Sequence, residues 1–418
     1  MSCESTPSSA LPREYGPYPV SYSAVQDFAL PDPLRRDDGS IVGSAAEWMT
    51  RQRERILALL KRYEYGEVLP RPDRMEFRPL SLRRDALGGL AARKEVRILC
   101  SMRNGKSISF DLLLYVPNRR SAPAPGFLGL NFKGNHAASD EKDVAPTGRR
   151  SADELFFPDA RGVQAYRWNF AEVVRRGYAS ATLCYHDIHP DRPAGTCDSV
   201  FRLFFEPEEY AGIGEMYSII GAWAWGLSRA LDYLESDPDV DASRIAVHGH
   251  SRLGKTALWA GAIDPRFRMI VANCSGCGGA ALHKRKSGEN FSQHFRCHLE
   301  RYHLPCWFVD EAEKFMWREE DYPIDQHELL AMAAPRPLAV GAASGDAGDP
   351  QSEFLACRAA APVYRLFGAE GLPETMPPSG AGTPGEINYH WRDGKHDMLP
   401  EDWQQYLRMA DRFLRRTP

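Results

Sequence analysis

Apolar and polar positions change their spacing along this chain in a way that predicts strands and helices. Short apolar or alternating runs predict strands over 75–77, 95–99, 108–116, 126–132, 179–185, 245–247, 269–272 and 338–343. Helical spacing of apolar residues predicts helices over 44–63, 168–176, 216–235 and 401–415. The first three strands are expected to be antiparallel at one sheet edge. Because the later strands alternate with helices, the pattern predicts an α/β fold with a doubly wound, mostly parallel sheet and crossover helices on both faces.

Composition divides the chain into two regions. Residues 1–45 are rich in Pro, Asp and Arg, which predicts an extended N-terminal arm, and 46–418 are expected to form a single catalytic domain. Polar segments follow the predicted strands at 133–136 and 186–191. Ligands of doubly wound sheets bind at the carboxyl ends of the strands, so a site is expected on that rim.

Ser251 stands between an apolar strand and a helix-compatible segment in residues 245–262, IAVHGHSRLGKTALWAGA. This arrangement is typical of a nucleophile elbow, whose strained turn holds the serine Oγ beside the first N–H groups of the helix, and it predicts the α/β-hydrolase fold. The usual elbow motif, G-x-S-x-G, has a glycine two positions after the serine. Here Leu253 stands at that position, and the glycine follows one position later. A helix N-cap is the alternative role for such a serine. Arg252 and Lys255 place two cations beside it, which favours an anionic substrate.

A serine nucleophile needs a base, and the base needs an acid to orient it. In α/β hydrolases these follow in the order Ser, acid, His. His396 lies in a loop before the last predicted helix and is the expected base, whereas His390 is assigned to the preceding strand. Asp346 and Asp349 both follow the strand over 338–343; Asp346 is preferred because Asp349 precedes a proline and could initiate a turn.

Charge and hydropathy exclude several classes of function. The chain has 52 basic and 56 acidic residues and a net charge of −4, which argues against general binding to nucleic acid or an anionic membrane surface. No stretch approaches the roughly 18–20 apolar residues of a membrane helix. We expect a monomer. The first eleven residues carry no secretion signal, so the expectation is a cytoplasmic protein if the chain is complete and a periplasmic or secreted one if it was trimmed.

The nine cysteines do not indicate a disulfide framework, because their number is odd and their density is low. Cys274 and Cys277 form a C-x-x-C pair without a second pair or a histidine cluster at ligand spacing. Both are therefore expected to be buried small residues and not zinc ligands. We expect no metal and no organic cofactor.

Several motifs together identify a family. They lie at 65–66 (YG), 129–132 (GLNF), 134–136 (GNH), 187–191 (DIHPD), 222–228 (AWAWGLS), 249–255 (GHSRLGK), 273–282 (NCSGCGGAAL), 288–289 (GE), 325–327 (DQH) and 334–337 (APRP). With them the chain resembles the glucuronoyl esterases of carbohydrate esterase family 15, in their bacterial form, from about residue 63 to the end.

The resemblance implies a role for five residues. Ser251 would be the nucleophile and His396 the base. Arg252 would stabilise the oxyanion through its main-chain N–H and its guanidinium. Lys255 and Glu289 would bind hydroxyl groups of the glucuronoyl ring.

The resemblance also bears on the acid. Fungal members place a glutamate where this chain has Cys274, whereas bacterial members place the acid in the loop of the next strand, in agreement with Asp346 or Asp349. Relatives carry a tryptophan beside this acid that packs on the sugar. Here Ala347 or Gly348 stands in its place, which weakens the expected sugar contact.

These observations lead to one hypothesis and two alternatives. The chain is expected to be a serine esterase that cleaves the ester between the 4-O-methyl-glucuronoyl group of glucuronoxylan and an alcohol such as that of lignin. One alternative is an acetyl xylan esterase or another carbohydrate esterase of the same fold. The other is a hydrolase-fold protein that binds carbohydrate without catalysis.

Overall fold

A computed structural model describes residues 28–148, 160–286, 289–292, 307–346 and 348–415. Within these residues nine strands form one sheet in the order β1-β2-β3-β5-β4-β6-β7-β8-β9. The strands are β1 Arg74–Asp85, β2 Ala91–Ser101, β3 Ser107–Pro117, β4 Ala124–Asn131, β5 Ala179–Cys184, β6 Val240–His250, β7 Met269–Asn273, β8 Leu338–Gly345 and β9 Ile387–Lys395.

The sheet is antiparallel at its leading edge and parallel elsewhere. Strands β1, β2, β3 and β5 pair antiparallel in that order. Strand β4 lies between β5 and β6 and is parallel to both, and β6 to β9 continue as parallel neighbours. The predicted antiparallel edge and mostly parallel body are confirmed.

Most of the helices lie in the connections between the parallel strands. The α-helices are α1 Ala45–Glu47, α2 Arg53–Leu60, α3 Ala86–Gly89, α4 Ala165–Trp168, α5 Phe170–Arg175, α6 Ile219–Ser236, α7 Arg252–Ile263, α8 Gln326–Ala331, α9 Pro350–Arg365 and α10 Pro400–Phe413. Five-residue π-helical segments, Trp48–Gln52 and Lys61–Tyr65, follow α1 and α2. The helix predicted over 168–176 is interrupted because Asn169 adopts a left-handed conformation, with φ +46°.

Alternate residues of the parallel strands pack against opposite helical layers. Leu128 and Val247 join a core that contains α6 and α7. The preceding residues, Phe127 and Ala246, join a second core with α10. Because side chains alternate across a strand, the near-continuous apolar sequence of these strands fills both layers, and the predicted helices on both faces are confirmed.

The N-terminal arm lies only in part within the described residues, since 1–27 fall outside them. The described part contacts helices through its backbone: Pro33 O accepts a hydrogen bond of 2.9 Å from Gln52 Nε2, and Pro31 O lies 2.7 Å from His327 Nε2. Among the described residues, no helix is both long enough and apolar enough to cross a membrane.

Candidate active site

Four polar residues follow directly on four neighbouring strands of the sheet. Ser251 follows β6, Cys274 follows β7, Asp346 follows β8 and His396 follows β9. These strands are parallel neighbours, so their carboxyl ends lie along one rim of the sheet. The topology therefore gathers residues that are up to 145 positions apart, as the numbers 251 and 396 show.

Ser251 lies in a strained turn between strand β6 and helix α7. Its backbone has φ +58° and ψ −132°, which non-glycine residues rarely adopt. Its N–H donates to Asn273 O over 2.9 Å. Two positions earlier, a Cβ on Gly249 would lie 1.9 Å from Leu253 O, so only glycine fits there. Strain of this kind costs about 1–3 kcal/mol and is typical of functional residues.

His396 and Asp346 form a close pair at the rim of the sheet. His396 Nδ1 lies 3.0 Å from Asp346 Oδ1. The Asp346 side chain is only 8 % exposed, whereas that of His396 is 42 % exposed. A carboxylate on Nδ1 fixes the imidazole tautomer whose Nε2 can accept a proton, so the pair has the geometry of a base and its orienting acid.

Asp349 has different partners. Its Oδ2 accepts a hydrogen bond of 2.8 Å from Arg285 Nε, and its Oδ1 accepts one of 3.1 Å from the N–H of Gln351. It is buried at the N-cap of helix α9. The structure thus brings Asp346 and not Asp349 to His396.

His250 packs against His396 from the strand side. Their ring centroids are 4.6 Å apart, and His250 Nδ1 lies 2.7 Å from Asn273 Oδ1. Burial, together with the charges that His396 and Arg167 can carry, lowers the pKa of His250 to about 3. A neutral ring beside His396 adds no charge that would oppose protonation of the base.

Arg252, the first residue of helix α7, is held in place by Asp191 and Trp307. Its guanidinium forms an ion pair with Asp191 and lies 4.7 Å from the centroid of the Trp307 ring. Trp307 Nε1 donates to the other Asp191 oxygen over 2.7 Å. Burial opposes ionisation of Asp191, but the Arg252 charge and the Trp307 hydrogen bond outweigh it, so the pKa of this carboxyl lies below its usual value.

Lys255 contacts the loop that follows strand β7. Its Nζ donates to Ser275 O over 2.6 Å and to Cys277 O over 2.5 Å, and it lies 4.0 Å from Glu289 Oε2. The lysine side chain is 4 % exposed, whereas that of Glu289 is 31 % exposed. Of these two predicted sugar contacts, Glu289 therefore offers the more accessible group.

Cys274 lies beside the His396–Asp346 pair. Its Sγ and one ligand atom each of Asp346 and His396 lie within 4.8 Å of one another. Cys274 and Cys277 are buried, as predicted. Burial and the charge of Asp346 raise the pKa of the Cys274 thiol well above its ordinary value. Ala347 lies outside the described residues, and the neighbouring Gly348 packs on Gly276.

Comparisons with known proteins agree on one family. The family model for fungal glucuronyl esterases matches residues 203–368. A carbohydrate esterase from an unknown prokaryotic organism is 38 % identical over 404 residues, which cover 93 % of this chain and 90 % of the relative. The solved glucuronoyl esterase of Solibacter usitatus is 38 % identical, with a TM-score of 0.86 over 94 % of this chain and 99 % of its own. The chain belongs to the glucuronoyl esterases of carbohydrate esterase family 15.

Two further relatives extend the comparison. A solved esterase from a marine bacterial metagenome, described as a promiscuous member of carbohydrate esterase family 15, is 37 % identical, with a TM-score of 0.84 over 95 % of this chain and all of its own. A 4-O-methyl-glucuronoyl methylesterase of Schizophyllum commune is 28 % identical over 85 % of this chain and 77 % of its own. As a member of this esterase family, the chain is a carboxylesterase.

Sequence reasoning missed three contributors to the glucuronoyl esterase site. Asp191 lies in the DIHPD motif but received no role, although a carboxylate after a parallel strand could have suggested one. For His250 the sequence predicts only a place in the elbow motif. Trp307 lies outside every motif, and no sequence signal linked it to Arg252.

Proposed function

We propose that the chain is a serine esterase that hydrolyses 4-O-methyl-glucuronoyl esters, of the kind that join glucuronoxylan to the alcohols of lignin. The observation that carries this proposal is the 3.0 Å pair of His396 and Asp346 on the same rim as the strained Ser251. Family membership and the methylesterase relative support a glucuronoyl ester as the substrate.

In the proposed reaction Ser251 Oγ attacks the uronoyl carbonyl. His396 Nε2 takes the hydroxyl proton and then gives it to the departing alcohol, which leaves a glucuronoyl ester on Ser251. A water molecule, deprotonated by the same imidazole, then attacks the ester carbonyl, and His396 returns that proton to Ser251 Oγ as the glucuronate leaves. Asp346 accepts the Nδ1–H of His396 throughout and stabilises the imidazolium that forms in each half-reaction.

Arg252 is positioned to stabilise the oxyanion. Negative charge develops on the carbonyl oxygen, and the N-terminal end of helix α7 offers a positive dipole directly after Ser251. The Arg252 guanidinium adds a full charge, and the ion pair with Asp191 limits its side-chain freedom. A donor that is ordered before the reaction contributes more than one that must be ordered during it.

Glu289 and Lys255 are proposed to recognise the sugar. Glu289 is partly exposed and can accept hydrogen bonds from ring hydroxyls. Lys255 uses two of its three donors on backbone carbonyls, so it supports the loop and fixes Glu289 at the same time. We expect Glu289→Gln to raise KM more than it lowers kcat.

Hydrolysis of benzyl glucuronate tests the proposal. Ser251→Ala is expected to lower kcat by about 10³-fold or more, because the nucleophile is lost. Asp346→Asn is expected to lower it by about 10³- to 10⁴-fold, whereas the matched variant Asp349→Asn retains turnover. Equal rates for the wild type and Ser251→Ala would overturn the proposal. Loss of turnover in Asp349→Asn alone, in protein whose circular dichroism shows that it is folded, would reassign the acid.

Acetyl esters of xylan are the second candidate substrate. At 348 the chain has a glycine that packs on Gly276, so this position offers no side chain to stack on a sugar. A relative described as a promiscuous esterase supports a test of a second class of ester. Turnover of acetylated xylan at a higher kcat/KM than benzyl glucuronate would favour this second function with the same nucleophile.

A further inference from the structure

Cys274, Asp346 and His396 present three different donor atoms at the ends of three adjacent parallel strands. Their Sγ, carboxylate and ring-nitrogen atoms lie within 4.8 Å of one another. Cys274 and Asp346 are buried, and His396 is partly exposed. The cluster is thus buried at Cys274 and Asp346 and reachable from solvent at His396.

We infer that this cluster is a binding site for a thiophilic divalent cation such as Zn²⁺ or Cd²⁺, and that the bound cation switches off the esterase. Thiolate, imidazole and carboxylate form a donor set that suits Zn²⁺. Tetrahedral Zn²⁺ with bonds of about 2.0–2.3 Å places its ligand atoms roughly 3.3–3.8 Å apart. Side-chain shifts of about 1 Å would therefore close the observed spacing around the cation.

Binding of the cation and catalysis require different tautomers of the His396 imidazole. In the active state His396 Nδ1 carries a proton that Asp346 accepts, and Nε2 has the lone pair. A cation on Nδ1 needs a lone pair at that atom, so the single proton of the neutral imidazole must move from Nδ1 to Nε2. The Cys274 thiol loses its proton to solvent, and the Asp346 carboxylate binds as it stands. The imidazole then has no free lone pair to accept the Ser251 proton.

The effect on turnover rests on the proposed function, but binding of the cation does not. Two readouts therefore separate the two ideas. The first is inhibition by Zn²⁺ of benzyl glucuronate hydrolysis by the full chain, with reversal by a chelator. The second is titration with Co²⁺, since a cobalt–thiolate bond gives a near-ultraviolet charge-transfer absorption that needs no substrate.

Cys274→Ser is the test variant, with Cys277→Ser as its matched control. Cys277 is equally buried, three residues along the same loop, with its Sγ 3.6 Å from His283 Nδ1. Inhibition of each protein is measured relative to its own rate without Zn²⁺. We expect the Zn²⁺ concentration for half-inhibition to rise at least about tenfold in Cys274→Ser, and the cobalt–thiolate band to be lost. Cys277→Ser keeps both. Cys274→Ala serves as a second variant if the serine protein does not fold.

Cys197 provides an internal check on the origin of the cobalt–thiolate band. Cys197 is exposed and is present in all the variants, so a band that it causes persists in Cys274→Ser. Equal Zn²⁺ sensitivity of wild type and Cys274→Ser, or an unchanged cobalt–thiolate band, overturns the inference. A protein without esterase activity that still shows a Cys274-dependent band retains the cation site and rejects the proposed function instead.

Discussion

Asp346 and Asp349 are chemically identical and three positions apart, yet the structure gives them separate tasks. Asp346 pairs with His396 Nδ1, and Asp349 accepts hydrogen bonds from Arg285 and from the first turn of helix α9. The sequence limits the candidates for the acid that orients His396 to these two residues, because both follow strand β8. It could not separate them, since the direction of each side chain depends on the loop path and on Arg285, which is 64 residues away from Asp349.

At the residue scale, Asp191→Asn tests how Arg252 is held. The asparagine keeps a hydrogen-bond acceptor for Trp307 but removes the charge that pairs with the guanidinium. We expect kcat for benzyl glucuronate to fall by about 10- to 100-fold with little change in KM, because a mobile donor stabilises the oxyanion less well. Steady-state kinetics measure both parameters.

Asp198→Asn is the control for that substitution. Asp198 is half-exposed and pairs with Arg192 at 3.5 Å. Its loss should leave kcat within about twofold, since exposed ion pairs contribute little. A fall in kcat of the same size in both variants would show that the loop, and not the Arg252 pair, is responsible.

At the scale of single elements, helix α9 depends on Asp349 for its start. Asp349→Asn keeps a good N-cap but leaves the buried Arg285 without its charged partner. We expect the free energy of unfolding to fall by about 3 kcal/mol, because an unpaired buried charge is costly. Urea unfolding measures this loss. Asp85→Asn, at an exposed pair with Arg83, should change stability by less than about 0.5 kcal/mol.

The elbow between β6 and α7 requires glycine at 249. The Cβ introduced by Gly249→Ala would meet the carbonyl group of Leu253 at 1.9 Å, and the backbone of this helix cannot yield without moving Ser251. We expect a loss of about 3 kcal/mol in unfolding free energy together with a fall in kcat. Gly212→Ala has open space around its Cβ and should affect neither quantity. A normal kcat in the Gly249→Ala variant would contradict the tight packing of the elbow.

For the whole molecule, sequence patterns predicted the parts that depend on local periodicity. Strand and helix alternation gave the antiparallel edge, the parallel body and the helices on both faces. The rim that joins Ser251 to His396 followed from the chain order of the elbow, the acid strand and the last loop. Contacts between distant segments could not be predicted from local patterns. Asp191, Trp307 and Arg252, for example, come into contact only when the strand order and the loop paths are fixed.

Buried histidines make the stability of the whole molecule depend on pH. His186, His189 and His248 are buried, and burial is the main cause that lowers the pKa to about 4, about 4 and about 3, respectively. His248 lies among the rings of Trp168 and Trp403, with centroids 5.0 and 5.1 Å away. Each of these rings resists protonation in the folded state, so acid favours the unfolded chain.

His248→Gln tests this acid sensitivity, because glutamine does not titrate. The folded pKa of His248, about 3, lies below the unfolded value of about 6.5, so its contribution is fully present above pH 6.5 and is lost as the pH falls towards 3. Between pH 7.5 and 5 the wild type should lose about 2 kcal/mol through this ring that the variant does not lose. Urea unfolding at both pH values gives the difference. An identical pH dependence in the two proteins would mean that His248 takes up its proton without leaving the folded state.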